Sequence, residues 1–375
     1  MSSARVAVVR CDTYEPAVVD AAVARALDLL GGVGRFVRAG ERIVLKPNLL
    51  VASTPEKAVT THPAVFSAVA RLLGSAGAVL TWGDSPGFGS TDGVGKRAGI
   101  AVEAARLGIR TADFAHGQNV SFAEGTLIKR FTIAEGVLEA DGLVSLPKLK
   151  THALTRMTGA VKNQFGCVPG MLKGEFHARM PDIDRFSQML VDLNRLISPR
   201  LVVMDAIVAM EGNGPRGGDP RRVGVVLASD DPVAIDAVGC RIMDLDPSLV
   251  GTVVWGERLG LGSATDIEII GDELPVCAGY VVNRSRSSTT GVGSPLGRRL
   301  LAPRPFIVHE RCTRCGTCVE VCPVDPKAVA FAEGDRSRVP EHAYSYCIRC
   351  YCCQEMCPER AIEVKTPLIG RLIRR

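Results

Sequence analysis

Eight cysteines near the C-terminus fall into two copies of one spacing, Cys312-x2-Cys315-x2-Cys318-x3-Cys322-Pro323 and Cys347-x2-Cys350-x2-Cys353-x3-Cys357-Pro358. A chain that keeps this pattern twice has little freedom of fold there, because the thiols must surround something. Three cysteines spaced by three can wrap one face of an iron–sulfur cubane, while the fourth, ahead of a proline, turns away to the other cluster. The spacing therefore predicts one [4Fe–4S] cluster on Cys312, Cys315, Cys318 and Cys357, and a second on Cys347, Cys350, Cys353 and Cys322. Structural four-cysteine zinc sites are the rival reading, but zinc modules use separated C-x2-C pairs rather than unbroken triplets. Cys352 stands outside the spacing and reads as a spare or buried thiol.

A chain of 375 residues with 46% hydrophobic composition supports two domains. No apolar run reaches the roughly 18 residues needed to span a bilayer. The start, Arg5 to Arg10, reads as a short strand rather than a signal segment, so a cytoplasmic location is expected. The net charge of +5 is unevenly placed. Residues 283–305 hold five arginines and no acid, and residues 364–375 hold four basic groups and no acid, which leaves the rest at −4. These basic stretches read as a solvated connector and end; docking to an acidic redox protein or peripheral contact with an anionic membrane is the functional alternative. Ser294-Pro295, followed by leucines at 296, 300 and 301, predicts a short amphipathic helix in the connector. Nucleic acid is not an expected partner.

Strand-length apolar runs alternate with longer amphipathic stretches, the pattern of an α/β domain with a large, mixed or mostly parallel sheet. Strands are expected near 5–10, 42–46, 78–82, 142–146, 201–205, 223–228 and 266–270. Helices are expected near 16–31, 63–75, 92–106, 182–197, 231–243 and 247–259. The predicted organisation is an α/β domain over 1–280, a linker rich in Ser, Gly, Arg and Pro over 281–303, a small α+β ferredoxin-like two-cluster domain over 304–366, and a basic tail over 367–375.

Nucleotide signatures are weak. Gly212-x-Gly214-x-x-Gly217 matches a dinucleotide fingerprint in form, but Pro215 interrupts it and no helix pattern follows. More telling are polar residues at the ends of predicted strands, where open α/β sheets gather ligands: Lys46-Pro47-Asn48, Gly83-Asp84-Ser85-Pro86-Gly87, and Pro147-Lys148-Leu149-Lys150-Thr151-His152. Residues 145–179 carry six Lys or Arg, two His and a single acid, Glu175. Cations in a segment broken by Gly and Pro suit a phosphate or carboxylate ligand. The candidate binding residues are Lys46, Asn48, Lys148, Lys150, Lys162 and Asn163, and the candidate proton carriers are His152, His177 and Asp84. Cys167 reads either as a nucleophile in a cationic setting or as a small apolar residue in a tight turn. Asp205 and Asp236, in an acidic stretch, are candidates for a divalent cation, although carboxylates at Asp230 and Asp231 also suit helix capping.

These motifs, with Lys162-Asn163, Gly166-Cys167-Val168-Pro169-Gly170 and Asp205 through Glu211-Gly212, resemble the family called domain of unknown function 362 over about residues 40–245. The resemblance implies fusion to a bacterial-type two-cluster ferredoxin module. The early strand and Thr61-His62-Pro63 are also similar to the nickel-pincer lactate racemase fold, without that enzyme's whole catalytic set, so only a fold analogy follows. The expected function is ferredoxin-type oxidoreduction in which two clusters exchange electrons with a site in the α/β domain acting on an anionic small molecule. A carrier or maturation accessory, whose large domain docks a partner protein, is the alternative.

Overall fold

A computed structural model describes residues 3–285 and 302–367. The predicted helix after Ser294-Pro295, most of the linker and nearly all of the basic tail lie outside the described residues. The core is a mixed, mostly parallel ten-stranded sheet. Its strands are β1 (Ala4–Arg10), β2 (Arg42–Pro47), β3 (Val79–Trp82), β4 (Arg110–Thr111), β7 (Gly142–Leu146), β8 (Lys148–His152), β9 (Arg156–Thr158), β10 (Leu201–Glu211), β11 (Asp219–Ser229) and β12 (Ile267–Gly271). A separate antiparallel ribbon joins β5 (Gly117–Ser121) to β6 (Arg130–Ala134). The spatial order is β12-β1-β11-β10-β7-β2-β3-β4, with β8 beside β10 and β9 beside β8. Helices cover both faces, because the central strands read as continuous apolar runs that must be buried on two sides. One core holds Val202, Met204 and Leu227 against helix Ile183–Ile197; the other holds Ile43, Leu45 and Val203 against helices Pro16–Leu29 and Pro63–Ser75.

All seven expected strands form, and their extensions define the site. The run at 201–205 continues to Glu211 and that at 223–228 starts at Asp219, giving a long antiparallel pair interrupted by a bulge near Ala206–Val208. The expected helix at 92–106 splits into Thr91–Arg97 and Ile100–Arg106, because Gly99 takes φ 78° between them. The polar segment expected at the end of the strand at 142–146 instead forms hairpin β8–β9, Lys148–His152 with Arg156–Thr158.

The loop at 212–217, between β10 and β11, is a docking device rather than a nucleotide turn. Gln354, from the cysteine-rich domain, donates Nε2 to Asn213 O (3.0 Å), Asn213 Oδ1 (2.9 Å) and Gly214 O (3.2 Å). Asn213 donates back to Ile362 O (3.0 Å), and Arg216 donates to Met356 O. Met356 packs among Val51, Val59 and Met210. The small domain itself is built on β13 (Arg304–Ile307) paired with β16 (Ile362–Lys365), and β14 (Val329–Ala330) paired with β15 (Glu341–His342). Gln354 is buried and its amide satisfies three acceptors, so Gln354→Ala should cost about 1–3 kcal/mol. Thermal unfolding of the anaerobically prepared protein should show a lower midpoint; an unchanged midpoint would contradict this account of the seam.

Candidate functional site

Parallel pairing brings the strand ends together. Lys46 and Pro47 of β2 stand opposite Ser145 and Leu146 of β7, and Leu45 stands opposite Trp82 of β3, so the segments that follow leave the same edge of the sheet. Asp84 follows β3 there and accepts from Leu49 N (2.7 Å) through Oδ2, while its Oδ1 meets Lys46 Nζ at 2.7 Å. Lys46 also donates to Asn163 Oδ1 (3.3 Å), and Asn163 Nδ2 donates to Ser145 Oγ (2.9 Å). Both members of the Lys46–Asp84 pair are buried. Gly166 permits the pair, since a Cβ there would lie 1.8 Å from Asp84 Oδ1. Removing one partner from a buried pair costs about 3–5 kcal/mol.

This pair backs a cavity of about 110 Å³. Asn48, Asp84, Lys150, Lys162, Asn163 and His177 all line it, which joins six of the sequence-predicted residues in one place. Lys150 is buried and donates to Val59 O (2.6 Å). Burial pushes its pKa well down, with nearby Lys162 adding to the effect. Burial also lowers Lys162, opposed by Glu355, and its amine has no hydrogen-bond or ion-pair partner among the described residues. His177 is driven down to about 4 by burial and is therefore neutral near pH 7. Its Nδ1 and Asn48 Oδ1 are buried polar atoms without hydrogen-bond partners. Such orphans inside a cationic cavity are suited to a polar guest.

The other wall comes from the cysteine-rich domain, through Val321, Cys352, Glu355 and Met356. Sequence reasoning missed Glu355, Lys173 and Ser85 as site residues. Lys173 belonged to the cationic stretch at 145–179, but Glu355 carried no signal beyond its place between two cysteines. It is buried and meets His152 Nε2 at 3.0 Å. His152 lies outside this cavity and lines a neighbouring cleft between the two domains.

Three further expectations are corrected by the placement of the side chains. Lys148 leaves the binding set, because its amine is buried against Asp205 Oδ2 (2.8 Å) and Tyr14 OH (2.8 Å). Asp205 also accepts from Tyr14 OH (2.9 Å) and His62 N (2.9 Å), and Asp236 accepts from Ala160 N (2.6 Å) and Val161 N (3.0 Å). The two carboxylates thus serve separate structural networks, and among the described residues no His, Cys, Asp or Glu cluster suits a single metal ion. Cys167 packs with Val44, Phe114 and Leu143 away from the cavity, and burial pushes its thiol up to about 12.

The repeated cysteines gather close together in the small domain. Cys312, Cys315, Cys318 and Cys357 line one cavity. Cys347 interacts electrostatically with Cys350 and Cys322, and Cys353 with Cys350, Cys347, Cys318 and Cys322. The two halves also repeat one sulfur hydrogen bond: Ala328 N donates to Cys322 Sγ and Ala361 N to Cys357 Sγ, both at 3.3 Å. These are the two thiols that precede proline, so the donor set, with backbone N–H groups bonded to its sulfurs, fits cubane [4Fe–4S] binding.

The model for "Domain of unknown function (DUF362)" matches residues 43–241, and the model for a 4Fe-4S dicluster domain matches residues 304–358. Thylakoid-associated protein sll1697 of Synechocystis sp. is 41% identical over 257 residues, covering 68% of this chain and 79% of that protein. The lactate racemase apoprotein of Thermoanaerobacterium thermosaccharolyticum is 13% identical with a TM-score of 0.40, over 65% of this chain and 57% of that one. A Thermotoga maritima protein of solved structure gives 13% and 0.32, over 58% and 56%. No helix among the described residues is long and apolar enough to cross a membrane.

Two measurements check the site. Gly166→Ala should destabilise the protein by about 3 kcal/mol or more, since it drives a methyl into the Lys46–Asp84 pair; an unshifted denaturation midpoint would count against the pair's role. Burial raises Asp236 from 3.8 to about 7. Its proton is held more tightly in the folded chain, so its contribution to stability is full below pH 4 and is lost as pH rises through 7. Chemical denaturation across that window should show this decline in the parent protein, and Asp236→Asn should remove it.

Proposed function

The chain belongs to the domain of unknown function 362 family and carries a 4Fe-4S ferredoxin-type domain, and from that premise we propose that it passes electrons between two [4Fe–4S] clusters and an anionic small molecule held in the cationic cavity. The observation that carries this reading is the shared wall: Cys352, Glu355 and Met356, interleaved with the cluster cysteines, close a cavity whose other side is Lys150, Lys162 and His177. When bound, the two clusters supply one-electron chemistry.

The rest is the work of the chain's own residues. Lys162, without a hydrogen-bond or ion-pair partner among the described residues, meets the anionic group, and Lys150 adds a second amine beside it. Asn48 Oδ1 and neutral His177 Nδ1 orient the guest through polar atoms that the protein leaves unpaired. Lys46 and Asp84 hold Asn163 and the loop after β3 in place. The apolar contribution of Leu50, Phe165 and Met356 excludes water and strengthens each charge interaction inside. Description of the Synechocystis relative as thylakoid-associated supports peripheral contact with a membrane, for which the basic connector and tail offer positive charge.

Anaerobic purification should yield about eight iron and eight acid-labile sulfide per chain. Reduced protein should be reoxidised catalytically by a fraction of anionic metabolites, and Lys162→Met should slow that reoxidation at least about tenfold while leaving the iron content intact. Absence of labile sulfide would overturn the cluster reading. Reoxidation unchanged in Lys162→Met would overturn the cavity as the site.

A further inference from the structure

We infer that Ser85 and Lys173 form a nucleophile–base pair that accepts a short acyl group from a donor with an anionic leaving group. Both line the cavity, and neither is needed for the electron-transfer reading. Lys173 Nζ lies 2.6 Å from Ser85 Oγ, at direct hydrogen-bond distance. The amine is oriented by a second bond, to Val168 O at 2.9 Å, and the hydroxyl oxygen by Gly170 N at 2.9 Å. The serine backbone is fixed as well, through its N–H to Gly166 O (3.0 Å). A nucleophile bonded to a base that is itself held by a third group is the arrangement of serine acyl-transfer sites, including those in which lysine is the base.

The surroundings suit the chemistry. Burial lowers Lys173 to about 8, against the pull of Asp84 and with help from Lys46, so a useful fraction of the amine is neutral near physiological pH. The neutral amine can donate to Val168 O and still offer its lone pair to the Ser85 hydroxyl. As Ser85 Oγ bonds to the acyl carbon, its proton passes to Lys173. The tetrahedral adduct then expels the leaving group, which departs with that proton from Lys173, and leaves an ester on Ser85 and a neutral amine on Lys173. Water then gives a proton to Lys173 as its oxygen bonds to the acyl carbon, the acyl–Oγ bond breaks to release the acid, and Lys173 returns the proton to Ser85 Oγ. The net change is hydrolysis of the donor, with no oxidant or reductant consumed. A cavity of about 110 Å³ limits the acyl group to a short one. Lys150 and Lys162, in the same cavity, favour a phosphate or similar anion on the departing side.

The test uses the anaerobically prepared full chain with its clusters, acetyl phosphate as the probe, and peptide mass spectrometry to locate the acetyl group. Acetylation is expected on Ser85, absent in Ser85→Ala, with a rate that rises with pH and levels off above about pH 8. Lys173→Arg keeps the positive charge and a donor to Ser85 but cannot serve as a base. It should retain the fold and iron content and acetylate Ser85 about 10²–10⁴-fold more slowly. No acetyl group at Ser85 in the parent protein would overturn the proposal, as would labelling of Lys173→Arg at the parent rate. Because labelling is read by mass with the clusters intact, its failure leaves electron transfer untouched, and the failure of electron transfer leaves the labelling result standing.

Discussion

The seating of one short helix, Cys352–Met356, against the edge of the large sheet is the contact on which the rest of the site depends. Its residues face two ways. Cys353 takes part in the cysteine set, while Gln354 is bonded to the loop at 213–214, Glu355 to His152, and Met356 packs among residues of the α/β domain. Without that helix the cationic cavity would be an open groove in water, where charge interactions are weak. With it, the cavity has one wall in each domain.

The second constraint is electrostatic. Buried lysines are costly, and each is handled differently. Lys46 is paired with Asp84, Lys148 with Asp205 and Tyr14, Lys150 with a backbone carbonyl, and Lys173 with a hydroxyl and a carbonyl. Lys162 alone among these five lacks a hydrogen-bond or ion-pair partner among the described residues, and it faces the cavity. Removing any of the other four charges would break a structural bond as well as alter the field, so Lys162 is where function can be probed with least damage to the fold.

Much of this could be read from the residues. The strand runs were legible because they are apolar and bounded by Gly, Pro and Asp, and the grouping of Lys46 with Asp84 followed from the rule that parallel strands present their C-terminal ends together, whereas Asn163 reaches them from the helix Ala160–Asn163. What could not be read was which charge a given lysine would spend on structure. Lys148 and Lys150 are two residues apart on one short strand and point to the same side by alternation, yet Asp205 claims the first, and only tertiary pairing with β10 reveals it. The same holds for Gly212 to Gly217, whose spacing imitates a nucleotide turn. Its partner is Gln354, more than a hundred residues away. Glu355 was hidden for a related reason, since within the cysteine pattern it occupies a position that any residue can fill.

The central claim is that the cavity and the second cysteine set form one electrostatic unit. Redox titration of both clusters, followed by electron spin resonance in the parent protein and in Lys162→Met, tests it most directly. Loss of a nearby positive charge makes reduction harder, so the account predicts a lower potential for the cluster on Cys322, Cys347, Cys350 and Cys353, with a smaller change in the other. Potentials that stay the same in both clusters would contradict it.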